Sequence, residues 1–175
     1  MGDQGLGPGH RRLAVVTRLR DPAHRVSPRA RTLWYVEAVL EALVVMVVGV
    51  VGAVLVVPDP WRWALAAAVV VVSATVALVV PQWRYQVHRW EVSDTAVYTQ
   101  RGWWARERRI APMSRVQTVD FAQGPMARIF GLATVTVTTA SAAGPLQIEG
   151  LDQAVAIRLV DDLTLKADLD AGDAT

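Results

Sequence analysis

The sequence lacks cysteine altogether, and only 19% of its 175 residues are charged. The absence of cysteine excludes thiolate catalysis, cysteine-ligated zinc or iron–sulfur clusters, and disulfides. Soluble domains average about 25% charged and roughly 45–50% apolar residues, whereas this chain is 53% hydrophobic. It is too apolar for a water-soluble domain of its length, so we expect it to lie in a membrane.

Residues arranged for catalysis are also scarce. His10, His24 and His88 match no metal-ligand spacing, and the sequence has no phosphate-binding loop, dinucleotide fingerprint or nucleophile elbow. We therefore expect no enzymatic activity, no metal and no cofactor. Nucleic acid is not an expected partner either, because no recognition motif accompanies the arginines.

Two long apolar runs, residues 33–57 and 61–80, are separated only by Pro58, Asp59 and Pro60. A membrane-spanning helix needs about 20 residues, and proline does not continue a helix. The pattern predicts a transmembrane helical hairpin over residues 33–81. Aromatic side chains sit where the bilayer interfaces would fall, at Trp34, Tyr35, Trp61, Trp63, Trp83 and Tyr85.

Basic residues flank this hairpin on one side. Several arginines precede the first run and two follow the second, but the turn has only Arg62. The positive-inside rule then places both termini in the cytoplasm. Residues 1–32 are rich in arginine and lack apolar periodicity, which predicts a flexible cytoplasmic arm. Nearly all basic residues are arginine and the apolar residues are mainly valine, alanine and leucine, which indicates a GC-rich bacterial genome. With the two membrane helices, this leads us to expect a protein of the bacterial inner membrane.

Two acidic residues, Glu37 and Glu41, lie four apart and so on one face of the first membrane helix. Charge inside a membrane indicates function or pairing. In an antiparallel hairpin this face lies within reach of Arg84, so we favour interfacial snorkelling or an ion pair with Arg84 over a proton or ion pathway. Small residues such as Gly49 and Ala53 also recur four apart, which permits close packing within the hairpin or against a partner, including a second copy of the chain.

After residue 81 the sequence changes to short alternating stretches broken by glycine, proline and aspartate, which predicts an antiparallel β domain over residues 82–166. Asp152 is a suitable cap for a final helix, on which Val155, Leu159 and Leu163 form an apolar stripe. Residues 167–175 are acidic and predicted to fray. The strands are predicted at residues 85–92, 96–100, 106–110, 117–121, 134–139 and 146–149.

Several short motifs follow one another in this domain: Gly102-Trp103-Trp104, residues 108–117 (RRIAPMSRVQ), Gln123-Gly124-Pro125, residues 128–133 and residues 148–151. In order and spacing they resemble the bacterial PH-domain family of short membrane proteins, often called YdbS-like, from about residue 30 to 165. The resemblance implies two transmembrane helices, then a PH-like antiparallel β-barrel capped by a C-terminal α-helix. We interpret the motif positions as mainly structural: Pro112, Arg115, Gln117, Gln123, Gly124, Pro125, Gly131 and Leu132.

One cluster has the composition of a binding site. Arginine forks suit phosphate and tryptophan suits the headgroup layer, which favours contact with anionic lipid headgroups. The alternative is that both tryptophans pack on the barrel and the arginines are solvated. The cluster comprises Arg101, Trp103, Trp104, Arg106, Arg108 and Arg109.

We therefore predict a non-enzymatic binding or scaffolding component of a bacterial membrane complex. The expected partners are the bilayer and a membrane protein. Because some members of the resembled family are encoded beside a larger protein with several PH-like domains, that relative is a candidate partner. Peripheral recognition of anionic headgroups is the alternative, and a small transporter subunit using Glu37 and Glu41 is a remote one.

Overall fold

The computed structural model describes residues 21–141 and 144–172. A short 3-10 helix, Met113–Arg115, lies between the fourth and fifth strands. The other elements follow in the order β1 His24–Arg25, α1 Pro28–Val56, α2 Trp61–Val87, β2 Arg89–Val92, β3 Ala96–Arg101, β4 Glu107–Pro112, β5 Val116–Ala122, α3 Pro125–Ile129, β6 Leu132–Thr139, β7 Leu146–Asp152 and α4 Gln153–Gly172.

The predicted helical hairpin is confirmed. Helices α1 and α2 are both long and apolar enough to cross a membrane, and the turn between them falls at the predicted prolines. Small residues bring the helices together, since a side-chain carbon added at Gly49 would lie 2.7 Å from Cγ1 of Val69. Ala53 is buried four residues further on. This small-residue spacing therefore packs the hairpin on itself.

The first helix begins earlier than the apolar pattern predicted. Pro28 lies in its first turn, and the Ser27 hydroxyl accepts a hydrogen bond from the Arg29 amide at 3.3 Å, an arrangement that favours helix starts. Strand β1 just before it pairs with β2. The structure thus shortens the predicted flexible arm, because residues 24–32 belong almost entirely to ordered elements. Residues 1–20 of that arm lie outside the described residues.

The second helix continues past Pro81 to Val87, so the strand predicted at residues 85–92 is confined to β2. Pro81 lacks the N–H that would bond the Ala77 carbonyl, and a membrane helix tolerates such a loss where neighbouring groups compensate. In the same turn the Tyr35 hydroxyl of α1 donates to the Leu78 carbonyl at 3.2 Å. The helix ends where the backbone N–H of His88 bonds the Arg84 carbonyl. The apolar run marks the membrane part of this helix rather than its end.

The strands form two antiparallel sheets, one in the order β1-β2-β3-β4 and the other β5-β6-β7. Five of the six predicted strands lie where predicted, within a few residues at their ends. In the described part of the chain the two sheets are not joined by hydrogen bonds into a closed barrel. The fold is therefore PH-like with an open rather than a closed β layer.

The core of the β domain lies between the two sheets and α4. In β6 the valines point inward and the threonines outward, as their alternation predicted. Helix α4 covers the core with Ala156, Leu159 and Leu163, and it runs to Gly172, beyond residue 167 where fraying was predicted. Residues 173–175 lie outside the described part. The largest fully buried side chains include Val97, Met113, Val135, Val137, Leu151 and Leu163.

Candidate functional site

The β domain packs directly on the ends of α1 and α2, and Gly150 in β7 is the closest point. Its backbone has φ +70°, and an added side-chain carbon would lie 2.7 Å from Cβ of Ala30 and 3.5 Å from the Trp34 ring. The Ser27 amide donates to the Gly150 carbonyl at 2.9 Å. Only glycine combines this backbone conformation with so close an approach. We call the contact between β7 and the start of α1 the junction.

An ion pair reinforces the junction. The Arg84 guanidinium lies 2.6 Å from the Glu149 carboxylate and 4.2 Å from the centre of the Trp34 ring. The sequence predicted either snorkelling of the glutamates of α1 or an ion pair with Arg84, and the carboxylate that Arg84 contacts at this distance is that of Glu149. Glu37 lies instead beside Arg84 and Glu149 in the lining of a recess of about 360 Å³, and Glu41 is exposed.

A second polar contact lies on the other side of Gly150. The Ser27 hydroxyl donates to the Asp152 carboxylate at 2.8 Å, and Arg29 lies 3.6 Å from the same carboxylate. Ser27 therefore begins α1 and also attaches it to the end of β7. With Arg84 and Glu149, these contacts fix the orientation of the β domain relative to the hairpin.

His88 is buried beneath the junction. Its Nδ1 donates to the Arg84 carbonyl at 2.7 Å, and its ring lies 4.9 Å from the ring of Trp34. Burial lowers the pKa of His88, and the nearby positive charge of Arg84 adds to this, although the backbone hydrogen bond opposes it. Folding of the junction therefore favours the neutral form of the His88 imidazole.

The register of the first sheet determines where the turn between β3 and β4 lies. Arg89 at the start of β2 pairs with Gln100 near the end of β3, and the Gln100 amide donates to the carbonyl of Val87 in α2 at 3.1 Å. Because β3 is antiparallel to β2, the residues beyond Gln100 extend back along α2 toward the apolar helices. Trp103 and Trp104 lie in that turn.

The two tryptophans of the turn are exposed, Trp103 by 48% and Trp104 by 88%. Their ring centres are 6.1 Å apart in an edge-to-face arrangement. The alternative in which both rings pack on the β domain is therefore incorrect. Two adjacent exposed indoles on the side facing the hairpin suit the headgroup region of a bilayer.

The predicted arginine cluster divides into paired and unpaired members. Arg101 lies 2.9 Å from Glu107, and Arg109 lies 3.4 Å from the same carboxylate. Arg108 pairs with Asp21 and donates to Gln100. Three of the four arginines thus make contacts within the protein, and Arg106 has no such ion pair within the described residues.

Arg106 lies near two arginines outside the predicted cluster. Arg25 of β1 and Arg89 of β2 join it around a recess of about 320 Å³, next to Trp83 of α2. These arginines are far apart in the sequence, and only the pairing of β1, β2 and β3 brings them together. The sequence signal for Arg25 and Arg89 was their position just outside the two membrane helices.

The family motif residues stabilise the loop that carries α3. Gln123 donates to the Leu132 carbonyl at 2.8 Å, and Leu132 is buried. Gly124 and Pro125 begin α3, and Gly131 ends it with φ +64°. These contacts support a structural role for this part of the motif. Within residues 21–141 and 144–172, no group of His, Asp and Glu is arranged to hold a metal ion.

Comparison with known proteins gives two matches of similar extent. A family model described as a bacterial PH domain matches residues 33–166. The chain is 30% identical over 147 residues to UPF0699 transmembrane protein YdbS of Bacillus subtilis (strain 168), covering 82% of this chain and 91% of that protein. No solved structure matches the chain significantly.

Proposed function

Because this chain belongs to the bacterial PH-domain family of membrane proteins, we propose that it is a membrane-anchored, non-enzymatic binding module that serves as a scaffolding component of a membrane complex. The β domain provides the binding surfaces, and the helical hairpin holds them at the bilayer. This family is a PH-like transmembrane family and not a known enzyme family. The two matches alone establish that the chain is a transmembrane protein with a PH-like domain.

One observation supports the proposal most directly: the junction holds the β domain in a single orientation. Gly150 fits against Ala30 without space for a side chain, and the Arg84–Glu149 pair closes over Trp34. A domain on a flexible tether would sample many orientations. A domain fixed in this way presents the same surface to the bilayer and the same surface to the cytoplasm at all times, which suits the assembly of neighbouring proteins.

The proposed location is the bacterial inner membrane with both termini in the cytoplasm. Arg25, Arg29 and Arg31 precede or begin α1, and Arg84 and Arg89 lie at the end of α2, whereas the turn between the helices carries Arg62. Arg62 is paired with Asp59 at 2.8 Å, which reduces its effective charge. The unbalanced positive charge therefore lies on the side of the β domain, as the positive-inside rule requires of a cytoplasmic face.

The test is capture of the full-length protein from its native membrane in polymer discs, followed by mass spectrometry. We expect one membrane protein in near-stoichiometric amount. Gly150→Leu would force a side chain into Ala30 and should lose that partner while the hairpin still inserts. Gly144→Leu is the matched control, because Gly144 has φ +75° but open space around it. Isolation of the chain without a protein partner, or equal capture by Gly150→Leu, would contradict the proposal.

A further inference from the structure

Three separate segments of the chain meet at the polar recess beside α2. Arg25 comes from β1, Trp83 and Arg89 from the end of α2 and the start of β2, and Arg106 from the residue just before β4. The recess has a volume of about 320 Å³ and is partly open to solvent. Gln86 and Gln100 contribute amide groups to its walls, and Asp21 contributes a carboxylate.

The positive charge of this recess is not neutralised within the described protein. Arg25 and Arg106 form no side-chain ion pair with any residue of 21–141 or 144–172, and Arg89 only approaches the Pro22 carbonyl at 3.5 Å. The single acidic residue of the lining, Asp21, pairs with Arg108. Three guanidinium groups thus face one recess without a carboxylate of their own.

The position of the recess relative to the bilayer follows from the helices. Trp83 is 51% exposed and lies on α2 three residues beyond the apolar run, where interfacial tryptophans are found. Arg25 lies three residues before the start of α1. The recess therefore opens at the depth of the headgroups, on the same side of the hairpin as the turn that carries Trp103 and Trp104.

We propose that this recess binds the phosphate group of an anionic phospholipid in the cytoplasmic leaflet, with Arg25, Arg89 and Arg106 as the contacting side chains. Guanidinium groups form charge-assisted, often bidentate hydrogen bonds with phosphate oxygens. Anionic lipid also accumulates beside basic residues at the membrane surface. This inference depends on the proposed orientation of the β domain at the bilayer but not on the existence of a protein partner.

The test measures lipid retention by the full-length protein in mild detergent, using native mass spectrometry during titration with phosphatidylglycerol or phosphatidylcholine. The wild type should retain phosphatidylglycerol with at least about tenfold preference, since each basic residue near an anionic surface contributes on the order of a few-fold in affinity. The double variant Arg25→Gln with Arg106→Gln should lose most of that preference. Arg89 is left intact because it begins β2.

The matched control is Arg115→Gln with Arg158→Gln. It removes the same charge from exposed positions at the end of the 3-10 helix and on α4, away from the recess. Unchanged melting temperatures show that both variants fold. Equal lipid retention by the two double variants would overturn the proposal, as would binding of inorganic phosphate alone that phosphatidylglycerol does not displace. Loss of the protein partner in the capture experiment would leave this lipid result intact, so the two proposals fail separately.

Discussion

Valine has opposite surroundings in the two halves of this protein. In β6, Val135 and Val137 are completely buried, whereas in α1 the side chains of Val44 and Val48 are about two-thirds exposed, at 65% and 67%. The β domain turns its apolar side chains inward because water surrounds it. The hairpin turns them outward because lipid covers them. The same residue type thus shows where each half of the chain lies.

The junction must satisfy both environments, and its composition differs from either half. Polar contacts concentrate there, including Arg84 with Glu149 and Ser27 with Asp152, beside the closely packed Gly150 and Ala30. Charges at this depth are near headgroups and water, so pairing them costs less than it would at the centre of the bilayer. The junction therefore joins the two halves through charges that are paired where the β domain meets the hairpin.

The largest expected effect comes from separating the two halves at Gly150. Gly150→Ala places a carbon against Ala30 at a backbone conformation that alanine disfavours, and these two costs together should lower the free energy of unfolding by about 3 kcal/mol. Gly144→Ala meets no neighbouring atom and is destabilised only by its backbone conformation, so the free energy of unfolding should fall by about 1 kcal/mol. Denaturant unfolding of the full-length protein in bicelles measures both. Equal losses would show that the junction is loose.

Truncating one valine to alanine in each half of the protein tests whether the two valines have different surroundings. Val135→Ala removes fully buried methyl groups from the β core and should cost about 2 kcal/mol. Val48→Ala removes the same atoms from a helix surface that faces lipid and should change stability by less than about 0.5 kcal/mol. A similar loss at both positions would mean that the exposed face of α1 is covered by protein, as in a stable oligomer.

A smaller effect is expected inside the hairpin. Gly49→Ala would bring a methyl group to 2.7 Å from the stiff side chain of Val69, whereas Gly52 has nothing within 4 Å. The first change should separate the helices at a cost of about 1 kcal/mol. The second should be neutral or slightly stabilising, because alanine is the better helix former. Thermal unfolding in bicelles compares the two variants. If only Gly52→Ala lost stability, the face of α1 that packs on α2 would be the one that carries Gly52 and not the one that carries Gly49.

The smallest effect is a pH dependence at the junction. Because burial lowers the pKa of His88 in the folded protein, the unfolded chain takes up the proton more readily. The stabilisation is fully present above the unfolded pKa of about 6.5 and is lost as the pH falls through the range below it. The melting temperature should therefore fall as the pH decreases below about 6.5, and His88→Gln should flatten that slope. An unchanged slope would exclude His88 as the source.

Much of the fold was predictable because apolar periodicity reports directly on burial. The hairpin, its turn and most strands followed from the alternation of apolar and polar residues. The ends of α1 and α2 did not, because they depend on hydrogen bonds rather than hydropathy. The Ser27-Pro28 pair is a recognisable helix start, but the continuation of α2 through Pro81 to Val87 depends on contacts with α1 and on the cap at His88.

The site was less predictable because its residues are distant in the sequence. Composition identified the exposed tryptophans and Arg106, but it gave no reason to group Arg106 with Arg25 and Arg89. That grouping depends on strand pairing. Likewise, folding the hairpin on itself brought Glu37 within reach of Arg84, but only the packing of β7 on the hairpin shows that Arg84 also meets Glu149, 65 positions away.

The β domain is expected to lie on the bilayer surface with its β3–β4 turn toward the lipid. Because the chain has no cysteine, a single introduced cysteine can carry a nitroxide label in the full-length protein reconstituted in vesicles. We predict that a label at Trp104→Cys collides mainly with lipid-soluble oxygen, and that one at Asp94→Cys, at the opposite end of β3, collides mainly with a water-soluble nickel complex. Equal exposure of both labels to the nickel complex would contradict the account.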